Sequence, residues 1–366
     1  MLYEKQSNNK NTRVTMKQIA AAAGTSIGSV DRALRGRAGI NAKTKEHILK
    51  VASQLGYTRN HVASALSRRK TLRLGIVYAH KPSAFYDSIH NGVMSASEEL
   101  SDFGLDIQPI RSHHLTPEEQ SALLNSISPD DFDGFAINAS GSETDTFISR
   151  CKQAGIPAIT FNSDSPDSER LFFVGNDAAT SGRLGGELLG KLLTASRKPS
   201  KAWVMGNFPE DATLSRRAMG FKEVLTSDFP NISLGHILSC NGNSDVAEEM
   251  AYDIIYKHKD EQIGFFTSSY AATIGVLGAV SRHDTTYVQV VGYDLSDVIA
   301  QALRNGKCAA TIYQDPFTQA YKATKLLVRH VVEGWEPSHE HYNVGTHIIL
   351  KHNVGSFLKK RGERDE

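Results

Sequence analysis

The spacing of apolar side chains changes along the chain, and the change marks its organisation. From Thr15 to Leu55 apolar residues recur at helical intervals in three short bursts. Thr15 with Gln18 three residues on is a capping-box pattern, so a first helix is expected over residues 15–23. It stops at Gly24, which takes positive φ at little cost. Ser26 caps a second helix from Ile27 to about Leu34, and a third runs from about Thr44 to Leu55. Val30, Ala33 and Leu34 on the second, with Ile48, Val51, Ala52 and Leu55 on the third, supply a miniature core.

Past residue 72 short apolar runs alternate with amphipathic stretches. Strands are expected at Leu72–Tyr78, Asp106–Arg111, Gly134–Asn138, Ala158–Phe161, Leu171–Val174, Lys201–Met205, Ile232–Leu238, Gly264–Thr267, Val288–Gly292 and Ala309–Ile312. Helical segments Ser88–Ser101, Ser181–Leu193, Ser215–Leu225, Asp245–His258 and Phe317–Glu333 fall between them. This alternation predicts α/β architecture, with parallel sheets covered on both faces. Ten strands exceed one comfortable core, so two lobes are expected, their strand ends facing a shared cleft. The domains read as 14–59 for a helix-turn-helix headpiece, 60–72 for a hinge or linker and 73–366 for the two-lobed body.

Charge sharpens the division. The 366-residue chain has a net charge of only +1. Residues 1–73, however, carry 15 Lys/Arg against Glu4, Asp31 and Glu46, a net +12; the remainder carries 26 against 37 acids, a net −11. A polyanionic partner for the front segment follows, the bland alternative being a solvated basic tail. Cys151, Cys240 and Cys308 stand far apart without metal-ligand spacing and read as reduced core thiols of a cytoplasmic protein. No apolar run is long enough to cross a membrane, and the polar N-terminus lacks a signal peptide's apolar core.

Two short helices around a glycine turn match the helix-turn-helix motif. The second presents Gly28, Ser29, Asp31 and Arg32 away from its core, followed by Arg35 and Arg37, a face that fits a major groove. Arg32 can reach guanine O6/N7 bidentately; Arg35, Arg37, Lys43 and Lys45 suit phosphates. Gly28 either lets backbone approach base edges or is simply tolerated. Val14-Thr15-Met16, Ile19-Ala20, Ala23-Gly24, Ser26, Val30, Arg32-Ala33-Leu34, Lys43-Thr44, Ile48 and Leu55-Gly56-Tyr57 resemble the headpiece of the lactose-repressor (LacI/GalR) family. The resemblance implies base reading by Ile27, Gly28 and Arg32. The pattern departs at Asp31, where the family has Ser, and at Thr58-Arg59, which replaces a Pro-containing step. Residues 60–70 resemble the family's hinge helix, which implies Asn60 as its cap and Ala63 and Leu66 packing in the minor groove; the alternative is an ordinary linker.

The order of elements in the body resembles a periplasmic-binding-protein-like sensor domain. That resemblance implies a cleft ligand, a small sugar or polyol, held by residues at strand ends. Phe85 would stack on a sugar's apolar face or belong to the core. Asp164, Asp294, Arg217 (or Arg216, one residue away), Gln314 and Ser269 would supply acceptors and donors, and this set suits a polyol. For Asp294 and Arg217 the alternative is a cleft salt bridge. Gly185-x4-Gly190-Lys191 is one residue short of a phosphate loop, since Leu192 stands where Ser/Thr is needed, and lies inside a helical pattern. His113-His114 reads as a loop pair and not as a metal site. The expectation is a repressor acting as a homodimer or larger on double-stranded operator DNA, with no cofactor, metal or enzymatic role. A solute-binding protein for sugar uptake is the alternative.

Overall fold

A computed structural model describes residues 16–34, 39–55, 71–79, 82–112, 117–195, 198–206, 211–282 and 286–362. Thr15, Arg35, Arg37, His113-His114 and the hinge residues Asn60, Ala63 and Leu66 lie outside these. The chain falls into two units, a head and a body.

In the head, α1 (Met16–Ala22), α2 (Ile27–Leu34) and α3 (Ala42–Gln54) close on Ile19, Ala20, Val30, Ala33, Ile48 and Ala52, all buried. Helix α3 begins two residues before its expected start, because the Asn41 side chain accepts a hydrogen bond from the Lys43 amide at 2.9 Å and caps it. Gly24 turns the chain between α1 and α2 at φ 61°.

All ten expected strands of the body form, and two more complete its sheets. In the first lobe β1 (Leu72–Ala79), β2 (Leu105–Ser112), β3 (Gly134–Ile137), β4 (Ala158–Phe161), β5 (Phe173–Gly175) and β11 (His341–Asn343) lie in the order β11-β5-β4-β3-β1-β2, parallel throughout. In the second lobe β6 (Ser200–Met205), β7 (Ile232–Leu238), β8 (Gln262–Thr267), β9 (Val288–Tyr293), β10 (Ala310–Tyr313) and β12 (His347–Ile349) lie in the order β12-β10-β9-β8-β6-β7. Here β12 is antiparallel to β10, a departure from the all-parallel expectation at one edge.

Strand alternation feeds two cores per lobe. Trp203, Met205 and Phe265 face α9 (Ser244–Lys257), α10 (Tyr270–Ser281) and α11 (Asp297–Arg304). Their neighbours Ala202, Val204 and Phe266 face α7 (Ala178–Thr194) and α8 (Ala212–Asp228). In the first lobe Leu74, Ile76 and Tyr78 meet α4 (Ala84–Glu99) and α12 (Pro316–Glu333), whereas Val77, Phe135 and Ile137 meet α5 (Pro117–Ser126) and α6 (Glu143–Gln153). The glycines of the near-phosphate-loop motif sit inside α7, where a Cβ at Gly185 would meet the Phe266 ring at 2.3 Å. They permit close packing and bind no phosphate. The three thiols are buried and unpaired, and burial pushes Cys151 and Cys308 up to about 12.

The chain passes between lobes three times: at 176–177, at 314–315 and at 344–346.

Candidate functional site

On the head, the N-terminal turn of α2 is the outward feature. Ile27 is 49% exposed although apolar, and Ser26, Gly28 and Arg32 are exposed beside it. Ser26 Oγ accepts from the Ser29 amide at 3.1 Å and lies 3.0 Å from Ser29 Oγ, so these hydroxyls fix the helix start. Arg32 Nη1 donates to the Gly39 carbonyl at 3.3 Å, which holds the guanidinium near the loop that follows. A Cβ at Gly28 would make only ordinary contacts, the nearest at 3.7 Å. Nothing among the described residues of the head therefore requires a glycine there.

Within the body, Arg217 on α8 is 3% exposed, buried between the lobes. Its Nη1 donates to the Ser268 carbonyl at 2.9 Å and its Nη2 to Gln314 Oε1 at 2.9 Å. Its Cζ lies 4.1 Å from the Tyr293 ring centroid, and among the described residues Nε has no hydrogen-bond partner. Gln314 Nε2 donates to Asp294 Oδ1 at 2.9 Å. The sequence-derived trio Arg217, Gln314 and Asp294 is thus one hydrogen-bonded group. The alternative Arg216 lines a different hollow, beside Met219 and Glu223.

Asp294 sits in the left-handed region at φ 67°, which aims a residue just past β9 back into the centre. Burial pushes its carboxyl up to about 6, partly offset by Arg217 and by hydrogen bonds from Gln314 and the Tyr270 amide.

The remaining candidates are placed differently. Asp164 is buried, but its carboxylate is engaged by Arg170 through Nε–Oδ1 at 2.5 Å and Nη2–Oδ2 at 2.8 Å, and accepts from Thr160 Oγ1 at 2.6 Å. It braces its loop, and its amide donates across to Thr213 Oγ1 at 3.1 Å. Ser269 caps α10 through the Ala272 amide, while its neighbour's carbonyl, that of Ser268, is what Arg217 touches. Phe85 packs on the first lobe's core, edge-on to Tyr86 with centroids 4.9 Å apart.

Residues not singled out from sequence complete the centre. Asn162, at φ 61° beyond β4, reaches from the first lobe to Gln314 Oε1 at 3.4 Å and Gln319 Oε1 at 3.2 Å. Ser163 Oγ donates to Asp211 at 3.1 Å, and Asp211 caps α8 by accepting from the Thr213 and Leu214 amides. Burial raises the Asp211 carboxyl, opposed first by the Leu214 amide and then by Arg217. Burial above all, with the negative charges of Asp211 and Asp294, keeps the Tyr86 phenol protonated. Two of these were legible: Asn162 and Ser163 immediately follow an expected strand. Asp211 was not, because α8 was expected to start only at Ser215.

A cavity of about 480 Å³, of a size that suits a small ligand, is lined by Ser163, Asp164 and Asp211 but not by Arg217, Gln314 or Asp294. A larger hollow of about 650 Å³ borders the first crossover at Asn176 and Asp177 and the end of β11 at Asn343. Among the described residues no group of His, Cys, Asp or Glu is arranged to hold a metal ion, and no helix is long and apolar enough to cross a membrane.

Comparison with known proteins agrees with this division. The family of bacterial regulatory proteins of the lacI type matches residues 15–60, and the periplasmic binding protein domain matches residues 74–334. Catabolite control protein A of Staphylococcus aureus is 25% identical over 299 residues, covering 78% of this chain and 87% of that protein. The probable transcriptional repressor ExuR of Bacillus subtilis is 27% identical over 169 residues, covering 45% and 47%. Among solved structures, GanP, a glucose-galactose binding protein from Geobacillus stearothermophilus, superposes with a TM-score of 0.71 at 25% identity, over 78% of this chain and 99% of that one.

Proposed function

Because the chain belongs to the family that joins a lacI-type DNA-binding head to a periplasmic-binding-protein domain, we propose that it is a transcriptional repressor whose operator affinity is set by a small neutral sugar or polyol held between the lobes. The observation that carries the ligand reading is the buried Arg217–Gln314–Asp294 group, with Asn162, Ser163, Asp211 and Tyr86 around it. These residues combine donors and acceptors, and Arg217 Nε, without a partner among the described residues, offers one more donor. Of the sequence-derived residues, Arg217, Asp294 and Gln314 hold the ligand directly. Phe85 and Ser269 support the residues beside it, Tyr86 and Ser268, and Asp164 latches the loop that carries Asn162.

On the head, α2 enters the major groove with Ile27 and Gly28 against base edges and Arg32 on guanine. Thr15, Ser26, Ser29 and Arg35 position the head on phosphates, and Asn60, Ala63 and Leu66 form the hinge contact. One head covers roughly 600–1,000 Å² of DNA, too little for tight specific binding, so two act together in a homodimer on a palindrome. The likeness to GanP, a glucose-galactose binding protein, makes hexoses the first effectors to try. Relatives are regulators and binding proteins, and the role is binding without turnover.

The test is a melting-temperature screen of the full chain against hexoses, pentoses and sugar alcohols, followed by selection of bound duplexes from a random pool with and without the stabilising sugar. A sugar that raises the melting point and changes operator affinity is expected. Operator binding should weaken steeply with salt as phosphate contacts release counterions. A chain that selects no duplex sequence, or that no sugar stabilises, overturns the respective half.

A further inference from the structure

Tyr293 stands between the central arginine and the strands that join the lobes. Its ring is fully buried under the Arg217 guanidinium, 4.1 Å from centroid to carbon. Its hydroxyl points the other way and accepts from Asn176 Nδ2 at 3.4 Å. Asn176 belongs to the first crossover, and the same Nδ2 lies 3.1 Å from Thr346 Oγ1, which belongs to the third. The second crossover is tied in from the opposite side, since Gln314 accepts from Arg217 and donates to Asp294. All three interlobe passages are therefore within one or two contacts of the Arg217–Tyr293 stack.

The Asn176 end is under-satisfied: Nδ2 is shared among Ser181, Tyr293 and Thr346, while its buried Oδ1 has no partner. Turning the amide over would let Oδ1 accept from the same three hydroxyls, so these groups can pair in a second way. The backbone is anchored beside it, where the Val344 amide donates to the Gly175 carbonyl at 2.8 Å and binds the first passage to the third.

We infer that Tyr293 is the positioning residue that carries the state of the cleft to the interlobe hinge formed by the crossovers, its ring registering where Arg217 lies and its hydroxyl setting the Asn176–Thr346 joint. This rests on the reading of Arg217 as the ligand's arginine. When a bound hydroxyl draws Arg217 off its present partners, the ring beneath it shifts and the joint between the crossovers rearranges. Burial keeps the phenol protonated, so its hydroxyl retains a proton to donate as well as lone pairs to accept.

The experiment needs no ligand. Hydrogen exchange of residues 174–177 and 344–347 is followed by mass spectrometry in the full chain, for the wild type, Arg217→Lys, Tyr293→Phe and the double variant. Arg217→Lys keeps the charge and loses the planar stack. Each single substitution should speed exchange at the hinge by about tenfold, and the double variant should exchange no faster than Tyr293→Phe alone, because the connection is already cut. Exchange in β8 and β9 should stay as in the wild type. Thr346→Val, which removes only the far hydroxyl, should make the hinge equally blind to Arg217→Lys and guards against a Tyr293 variant that fails to fold. Effects that multiply in the double variants, or a hinge indifferent to Arg217→Lys, would overturn the assignment. An absent sugar response would instead sink the cleft reading.

Discussion

Replacing Asp294 by Asn isolates the cost of keeping a charge at the centre of the body. The Asp294 carboxyl is lifted from 3.8 to about 6, burial outweighing the attraction of Arg217. The folded chain thus holds this proton more tightly than the unfolded chain does. Its stabilising effect is complete below about pH 3.8 and is lost as pH rises through about 6. Two pH units correspond to about 3 kcal/mol, so at pH 7.5 ionised Asp294 destabilises the empty body by roughly that amount. Asn keeps the shape, can accept from Gln314 Nε2, and carries no charge to desolvate. The ligand-free variant should therefore melt about 5–10 °C above the wild type at pH 7.5. The gap should narrow as pH falls to 5, where the wild type gains its proton; Asp211, also raised, leaves both proteins a shared residual slope. The stabilising sugar should no longer shift the variant, which has lost the anionic acceptor. Melting curves across pH, with and without sugar, measure all three effects. Identical pH slopes for the two proteins, or a variant that melts lower at pH 7.5, would refute the reasoning.

Other expectations concern the head and the brace beneath the cleft. Arg32→Ala should cost about 1–3 kcal/mol of discrimination between the selected operator and its single-base variants in competition binding, with the head still folded by circular dichroism. Gly28→Ala should stabilise the head by about 1 kcal/mol, since a Cβ finds room there, yet weaken operator binding where backbone meets bases; unchanged affinity in a gel-shift titration would show mere tolerance. Arg170→Ala should destabilise the body by about 3–5 kcal/mol in urea unfolding, because it strands the buried Asp164 carboxylate, whereas Arg170→Met together with Asp164→Asn should recover most of the loss.

Periodicity, capping residues and charge are local properties, and whatever depends on them was legible in the sequence. Ser26 and the apolar spacing of α2 and α3 gave the head; alternating apolar runs gave ten strands in their places; the +12 front segment gave its polyanionic partner. Arg217, Asp294 and Gln314 were singled out through the resemblance to a periplasmic-binding-protein-like domain, whose ligand residues stand at strand ends. The rest was decided by contacts distant in sequence. Strands β11 and β12 are three residues each and find partners only after the chain has returned to each lobe, so no local period announces them. Asp164 and Asp294 are alike in sequence, each an acid just beyond a strand. Arg170 neutralises one, while a left-handed backbone turns the other onto Arg217 and Gln314. Whether a carboxylate is spent or available depends on what folding brings beside it, and only the tertiary structure settles that.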